Sequence, residues 1–183
     1  MKKSDIRSVA AIGIGTALFI LLTLAAIPVG FIPNTQLQTR VAFLTFMSAI
    51  FGPVVGGAIG FLGHAIADAS FYGGVWWSWV IPEGVYGIII GIFALKFKIE
   101  DGGFGLKETV LFNIAQVVAN IIAWIVIAPI LDIVIYAEPA NKVFAQGATS
   151  ALLNIITVAI IGTILTKAYS KVKSKTSSLS VED

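Results

Sequence analysis

The segment "FGPVVGGAIGFLGHAIAD", residues 51–68, decides how this chain is read. It places Gly52, Gly56, Gly57, Gly60 and Gly63 along one apolar run and ends it with His64 and Asp68. In a water-soluble helix each interior glycine costs about 1 kcal/mol against alanine. A buried aspartate costs more unless it is paired or used. In lipid the balance differs, because apolar side chains gain little by meeting each other and close backbone approach drives packing. The meaning of the segment therefore depends on its solvent.

Composition identifies that solvent. Of 183 residues, 57% are hydrophobic and 12% charged, and the mean hydropathy is +0.95. A soluble domain carries about twice that charged fraction. Apolar runs of roughly 18 or more residues recur along the chain, as in spanning helices. The chain reads as one integral membrane domain, all-α, in the cell membrane. It has no cysteine, which excludes disulfides and thiolate metal sites. A net charge of +2 is too small to indicate a nucleic-acid partner.

Working outward, six spans are predicted, at residues 6–27, 41–51, 54–71, 77–97, 109–136 and 143–168. The second reaches spanning length only if its helix begins near Gln36. Residues 1–168 form the membrane domain, and the polar tail at 169–183, "YSKVKSKTSSLSVED", is expected to be disordered. Six spans with both termini cytoplasmic place Lys2, Lys3, Arg7, Lys96, Lys98, Lys107, Lys167, Lys171, Lys173 and Lys175 inside. Only Arg40 and Lys142 then lie outside, which satisfies the excess of Lys and Arg on cytoplasmic loops. Omitting the second span puts eight of the twelve basic residues outside.

At 100° per residue, Gly56, Gly60, Gly63, Ala67 and Ser70 fall in a strip roughly 80° wide. The first span repeats the device with Ala11 and Gly15, and with Gly13 and Ala17, each pair four residues apart. Such strips either pack helices within the chain or dock another membrane protein, and the strips alone do not separate the two. His64 and Asp68 lie one turn apart on a neighbouring face. Ionisable residues at membrane depth are candidate functional groups, and a hydrogen-bonded pair that only fixes helix packing is the structural alternative.

Other polar residues mark where a cavity is expected. Trp76, Trp79, Glu83 and Tyr86 share a face of the fourth span. Asn113, Gln116, Asn120 and Trp124 form a stripe on the fifth, and Gln146, Ser150, Asn154 and Thr157 one on the sixth. Asn34, Gln36 and Gln38 sit in the first external loop with Arg40 behind them. Amides and carboxylates in hydrocarbon need partners or water, so stripes concentrated in the outer halves predict an outward-facing pocket with aromatic walls. Glu83, the hardest of these to explain structurally, is its leading candidate. The predicted substrate-contacting set is Glu83, Trp79, Tyr86, Trp76, Asn120, Trp124, Gln146, Ser150, Asn154, His64, Asp68, Gln36 and Asn34. Carboxylate, amides and indoles together favour a neutral or cationic nitrogen heterocycle over an anion. Trp77 reads equally as binding wall or as part of an interfacial aromatic belt.

No G-x-x-x-x-G-K-[ST] run occurs, so the chain carries no ATPase motif. Nor is it long enough for the inverted repeats of secondary transporters. A small six-helix protein with an outward pocket looks like a binding subunit that needs a partner. In these features, in the Gly-Pro turn and glycine-rich third helix of residues 51–68, and in the small-residue pattern of "AAIGIGTA" (residues 10–17), the sequence resembles the substrate-binding S components of energy-coupling factor (ECF) vitamin transporters. It departs from the family's alanine pair by combining Ala11 with Gly15 and Gly13 with Ala17. The resemblance implies a non-enzymatic, substrate-capturing subunit without cofactor. Its implied partners are a transmembrane coupling subunit, two cytosolic ATPases and a vitamin-like small molecule, with no nucleic acid. It further implies that Ala11, Gly13, Gly15, Ala17, Gly56, Gly60 and Gly63 contact the coupling subunit, against which the loaded protein topples in the membrane. Metal-ion members of the family use an N-terminal histidine arrangement, and the one histidine here is His64, so the expected substrate is organic. Hydroxymethylpyrimidine, a pyridoxine-type or a thiamine-type compound comes first and riboflavin second. A passive channel or uniporter is the alternative from another class. An intramembrane enzyme built on His64 and Asp68 lacks a nucleophile beside them, and a purely structural assembly subunit is the last rival.

Overall fold

The computed structural model describes residues 3–30, 35–97 and 99–179. They build an all-α bundle of six rods. Helix α1 (Lys3–Thr23) leads through a short hairpin, β1 (Ile27–Pro28) against β2 (Gln36–Leu37), into α2 (Arg40–Phe51). Helices α3 (Pro53–Phe71) and α4 (Trp77–Ala94) follow, and a 3-10 turn at Ile99–Asp101 leads to the fifth rod. That rod is continuous from Leu106 to Tyr136: α5 (Leu106–Asn120), a π-helical segment (Ile121–Ile127) and α6 (Ala128–Tyr136). The sixth joins α7 (Ala140–Thr157), a second π segment (Val158–Gly162) and α8 (Thr163–Leu179). Five of the rods are long and apolar enough to cross a membrane.

Two expectations are corrected here. The second span does not start near Gln36, because Gln36 and Leu37 pair with Pro28 and Ile27 and the helix begins at Arg40. Its 12 residues cover about 18 Å at 1.5 Å per residue. A short helix suffices because α2 is the centre of the bundle: none of its residues is exposed, and Val41, Ala42, Leu44, Thr45 and Ser48 are almost wholly buried. It meets protein rather than lipid, so it has no bilayer thickness to match. The tail expected to be disordered from Tyr169 continues as helix to Leu179. Tyr169 packs edge-on to Phe46 with ring centres 5.8 Å apart, Ser170 is buried, and Ser174 lies against Gly102. These contacts hold a segment whose composition alone reads as too polar to pack.

The glycines of α3 act inside the molecule. Gly52, at φ +85°, makes the turn that separates α2 from α3, and Pro53 opens the new helix where its missing N–H is harmless. A Cβ on Gly56 would sit 2.7 Å from the Gly87 carbonyl oxygen, and one on Gly60 2.6 Å from that of Glu83. Gly91 abuts Pro53 in the same way, and Gly63 faces the Phe19 ring of α1. Gly56, Gly60 and Gly63 are therefore not an outward docking strip; they let α3 lie backbone to backbone on α4 and against α1. In α1, Ala11 and Gly15 also face inward, Gly15 against Ile59 and Met47. Gly13 and Ala17 are exposed, and a Cβ on Gly13 would meet nothing within 4 Å. Of the seven small residues, these two are the pair left on the outer surface.

The rods alternate, so the start of α1, the α2–α3 turn, the 3-10 turn and the end of α8 gather at one end. Arg7 lies over the Phe51 ring, Gly91 against Pro53 and Gly102 against Ser174. The hairpin, the α3–α4 connection and the turn after Tyr136, where Ala137 takes a left-handed conformation, form the other end.

Candidate functional site

At the hairpin end the helices diverge around a cavity of about 310 Å³. Its walls come from β2 and the start of α2 (Gln36, Gln38, Arg40), the end of α3 (His64, Asp68), the α4 entrance (Trp76, Trp79) and the fifth and sixth rods (Trp124, Asp132, Gln146, Ser150, Asn154). Tyr72, Glu138 and Lys142 complete the mouth. The divergence has a local cause. Towards the other end glycines let α3 and α4 touch, whereas at this end indoles, an imidazole and carboxylates occupy the space between rods.

A buried ionic cluster forms the floor. Arg40, 3% exposed and the first residue of α2, donates through Nη1 to Thr23 Oγ1 (3.2 Å) and through Nε to Gln38 Oε1. Its Nη2 is 3.7 Å from Glu83 Oε2 and 3.4 Å from His64 Nε2, and its guanidinium also lies over the Phe19 ring. His64 Nδ1 is 3.2 Å from Glu83 Oε2 without a hydrogen bond between them, so the contact is electrostatic. The same Nε2 faces both Arg40 Nη2 and, at 3.5 Å, Asp68 Oδ1, so one ring nitrogen lies between a cation and a carboxylate. Asp68 lies 3.5 Å from His64 and accepts the backbone N–H of Trp76 at 3.0 Å, which ties the end of α3 to the start of α4. Charges this deep persist only when paired, and here two cationic or polar heads and two carboxylates face one another.

The opposite wall is aromatic and centres on Asp132. Its carboxylate accepts from Trp76 Nε1 (2.6 Å), Trp79 Nε1 (2.7 Å) and the Ser78 hydroxyl. Trp79 stacks on Trp124 with centres 5.5 Å apart, and Trp76 on Tyr136 at 4.3 Å. Trp124 belongs to the π segment, a geometry that recurs at functional sites.

Of the residues predicted from sequence, Trp76, Trp79, Trp124, Gln146, Ser150, Asn154, His64, Asp68 and Gln36 line this one cavity. Asn34 lies outside the described residues. Three predictions are corrected in position. Glu83 does not line the cavity but sits behind Arg40 and His64, fully buried. Tyr86 is equally buried, its hydroxyl bonded to Thr45 Oγ1 at 2.7 Å, and Asn120 turns back to Gln116 at 2.9 and 3.0 Å. Each is one layer too deep, because helical periodicity gives a residue's face but not its distance from the cavity axis. Trp77 is 44% exposed and leans on Phe61, the position of an interfacial belt.

Sequence reasoning missed Asp132 and the mouth residues Tyr72, Glu138 and Lys142, and left Gln38 and Arg40 as background. Asp132 carried a signal: it is the one acidic residue in an apolar run and stands two turns beyond Trp124. It escaped notice because the polar stripe was extended only as far as Trp124.

Comparison with known proteins bears directly on this geometry. No solved structure matches. The chain is 54% identical over 185 residues to a UPF0397 protein of Staphylococcus aureus (strain Newman), 51% over 183 to one of an Exiguobacterium species and 50% over 186 to one of Lactobacillus helveticus. In every case the match covers the whole of both chains. The family model "ECF-type riboflavin transporter, S component" matches residues 3–171, which include the first five rods, most of the sixth and every cavity residue named above. A bundle of apolar rods around one polar, aromatic-walled cavity, matched from end to end in this way, belongs to the ECF-type riboflavin transporter S-component family: it is a multi-pass cell-membrane protein and the substrate-binding subunit of an ECF transporter, not an enzyme.

Proposed function

We propose that this chain captures a small, flat nitrogen heterocycle of the vitamin or vitamin-precursor class from outside the cell, in the cavity at its hairpin end. The observation that carries the reading is the cavity itself: about 310 Å³, at the small end of the roughly 300–1,000 Å³ range of ligand pockets, with three indoles on one side and an ionic floor on the other. Its lining holds two permanent cations, Arg40 and Lys142, against three carboxylates, Asp68, Asp132 and Glu138, and Glu83 stands behind. That balance disfavours an anionic substrate, and indole faces attract cationic or electron-poor rings. Hydroxymethylpyrimidine, pyridoxine-type and thiamine-type compounds fit this description first. Riboflavin is the second reading, favoured by the substrate in the name of the matching family.

The termini-bearing end is cytoplasmic on this reading, since it carries eight of the ten basic residues among the described ones. Association with an ECF module follows from family membership: a transmembrane coupling subunit and two ATPases supply the energy this chain has no motif to extract. The exposed Gly13 and Ala17 on α1 are the small residues in a position to meet the coupling subunit. Mass spectrometry of small molecules released from the protein purified in mild detergent tests the substrate, followed by calorimetric titration with the best candidate. A stoichiometric heterocycle rebinding at nanomolar strength is the expected result. No retained compound, with no heat from a panel of the four compounds named, would overturn the substrate class. Solute flux into liposomes holding this chain alone would favour the channel alternative.

A further inference from the structure

Asp132 is 2% exposed, and no Lys, Arg or His among the described residues lies within 4.0 Å of its carboxylate in an ion pair. Its charge is held by three neutral donors, all from the first turn of α4 or the residue before it. Oδ1 takes the Trp76 indole and the Ser78 hydroxyl, and Oδ2 takes the Trp79 indole. Three of about four acceptor positions on a carboxylate are thus filled by the protein. Hydrogen bonds to an ionised acceptor are roughly twice as strong as neutral ones. Each indole is also stacked, Trp76 on Tyr136 and Trp79 on Trp124. Stacking restrains the plane of each ring but not its rotation within that plane. An N–H bond to a fixed point supplies what stacking leaves open.

Building on the substrate reading above, we infer that Asp132 is the positioning residue of the aromatic wall, fixing the orientation of Trp76 and Trp79 and so selecting a flat ring without being that ring's main hydrogen-bond partner. The requirement is for a carboxylate specifically. An amide at 132 offers one acceptor oxygen and one donor nitrogen. Turned to satisfy Trp76 and Ser78, it presents its nitrogen to the Trp79 N–H, and that indole loses its anchor.

The test begins without ligand, on the full-length protein in detergent or lipid nanodiscs labelled with 15N on its four tryptophans. The Trp76 and Trp79 indole N–H resonances are expected downfield of Trp77, with hydrogen exchange at least tenfold slower. In Asp132→Asn the Trp79 resonance is expected to move upfield and to exchange at least tenfold faster. Riboflavin and hydroxymethylpyrimidine are the binding probes, and whichever binds the wild type should bind Asp132→Asn at least tenfold more weakly. Trp79→Phe keeps a stacking ring but removes its N–H, and serves if Asp132→Asn fails to fold. It should also lose at least tenfold in affinity if orientation matters, and close to nothing if ring area alone does. Unchanged indole resonances in Asp132→Asn, rapid exchange of Trp79 in the wild type, or full affinity in either variant would each overturn the inference. A wild type that binds neither probe while the indole pattern appears as expected counts against the substrate reading and not against the role of Asp132 in holding the indoles.

Discussion

The two ends of the α3–α4 pair show opposite solutions to life in a membrane. At the termini-bearing end, Gly56, Gly87, Gly91 and Pro53 bring the two backbones into direct contact. About two to three turns further along, the same helices part around His64, Asp68, Trp76 and Trp79. At the first end dispersion between backbones replaces a hydrophobic effect that lipid does not supply. At the second end polar groups face one another across the gap, Asp68 accepting the Trp76 N–H and His64 lying against Glu83, around the cavity. The contrast teaches that small residues close one half of the helix pair backbone to backbone, whereas large polar and aromatic side chains hold the other half apart around the cavity.

The largest effect should come from wedging the backbone-to-backbone half. Gly87→Leu, or Gly60→Leu, forces a side chain into backbone, and the expected loss exceeds about 4 kcal/mol, in the exceptional range for one substitution. Size-exclusion chromatography of a fluorescent fusion should show aggregate in place of a monodisperse peak. The family resemblance implies that Gly60 contacts the coupling subunit, whereas its position against the Glu83 carbonyl makes it part of the α3–α4 contact. A well-folded Gly60→Leu would break the comparison at its root.

Next comes the ionic floor. Arg40→Met strands Glu83, and Glu83→Leu strands Arg40, each at a cost of about 3–5 kcal/mol if the cluster behaves as a buried pair. Joint replacement should recover much of either loss, because no lone charge remains. Equilibrium unfolding in mixed micelles measures all three, and strictly additive losses would show that the floor is not coupled. Glu83→Gln is expected to weaken ligand binding indirectly, through Arg40 and His64, with unchanged affinity placing the ligand away from the floor.

Smaller effects sharpen the picture. Asn154→Ala removes a cavity-wall amide, and a lost hydrogen bond of about 1 kcal/mol should weaken binding roughly fivefold with the fold intact. Titration calorimetry on the purified variant measures it. The smallest change in stability, within about 0.5 kcal/mol, is expected for Gly13→Leu on the open face of α1. The same variant should lose co-purification with the coupling subunit while keeping full ligand affinity. If co-purification persists, the outward small residues are not the docking surface.

Much of this was legible before any coordinates. Apolar length located the rods, and the distribution of twelve basic residues required the short second helix that a length criterion alone would discard. The stripes on the fourth, fifth and sixth spans named six of the sixteen cavity residues: Trp76, Trp79, Trp124, Gln146, Ser150 and Asn154. The errors share a cause. Glu83, Tyr86 and Asn120 were assigned to the cavity by face, but a face includes both the residue at the surface of a void and the one packed behind it. The glycines of α3 were correctly read as contact surface, yet whether the contact is internal or external depends on which helix arrives there. The helical continuation to Leu179 depends on Phe46 and Gly102, far away in sequence.

The sequence by itself determined the solvent and the number of rods, because both follow from composition and local period. Only the tertiary structure decided that Arg40, His64 and Glu83 meet, that Asp132 gathers two indoles from another rod, and that the α3 glycines close on α4. Those facts depend on distances between rods, and lipid-facing periodicity along one helix carries no information about the separation of two.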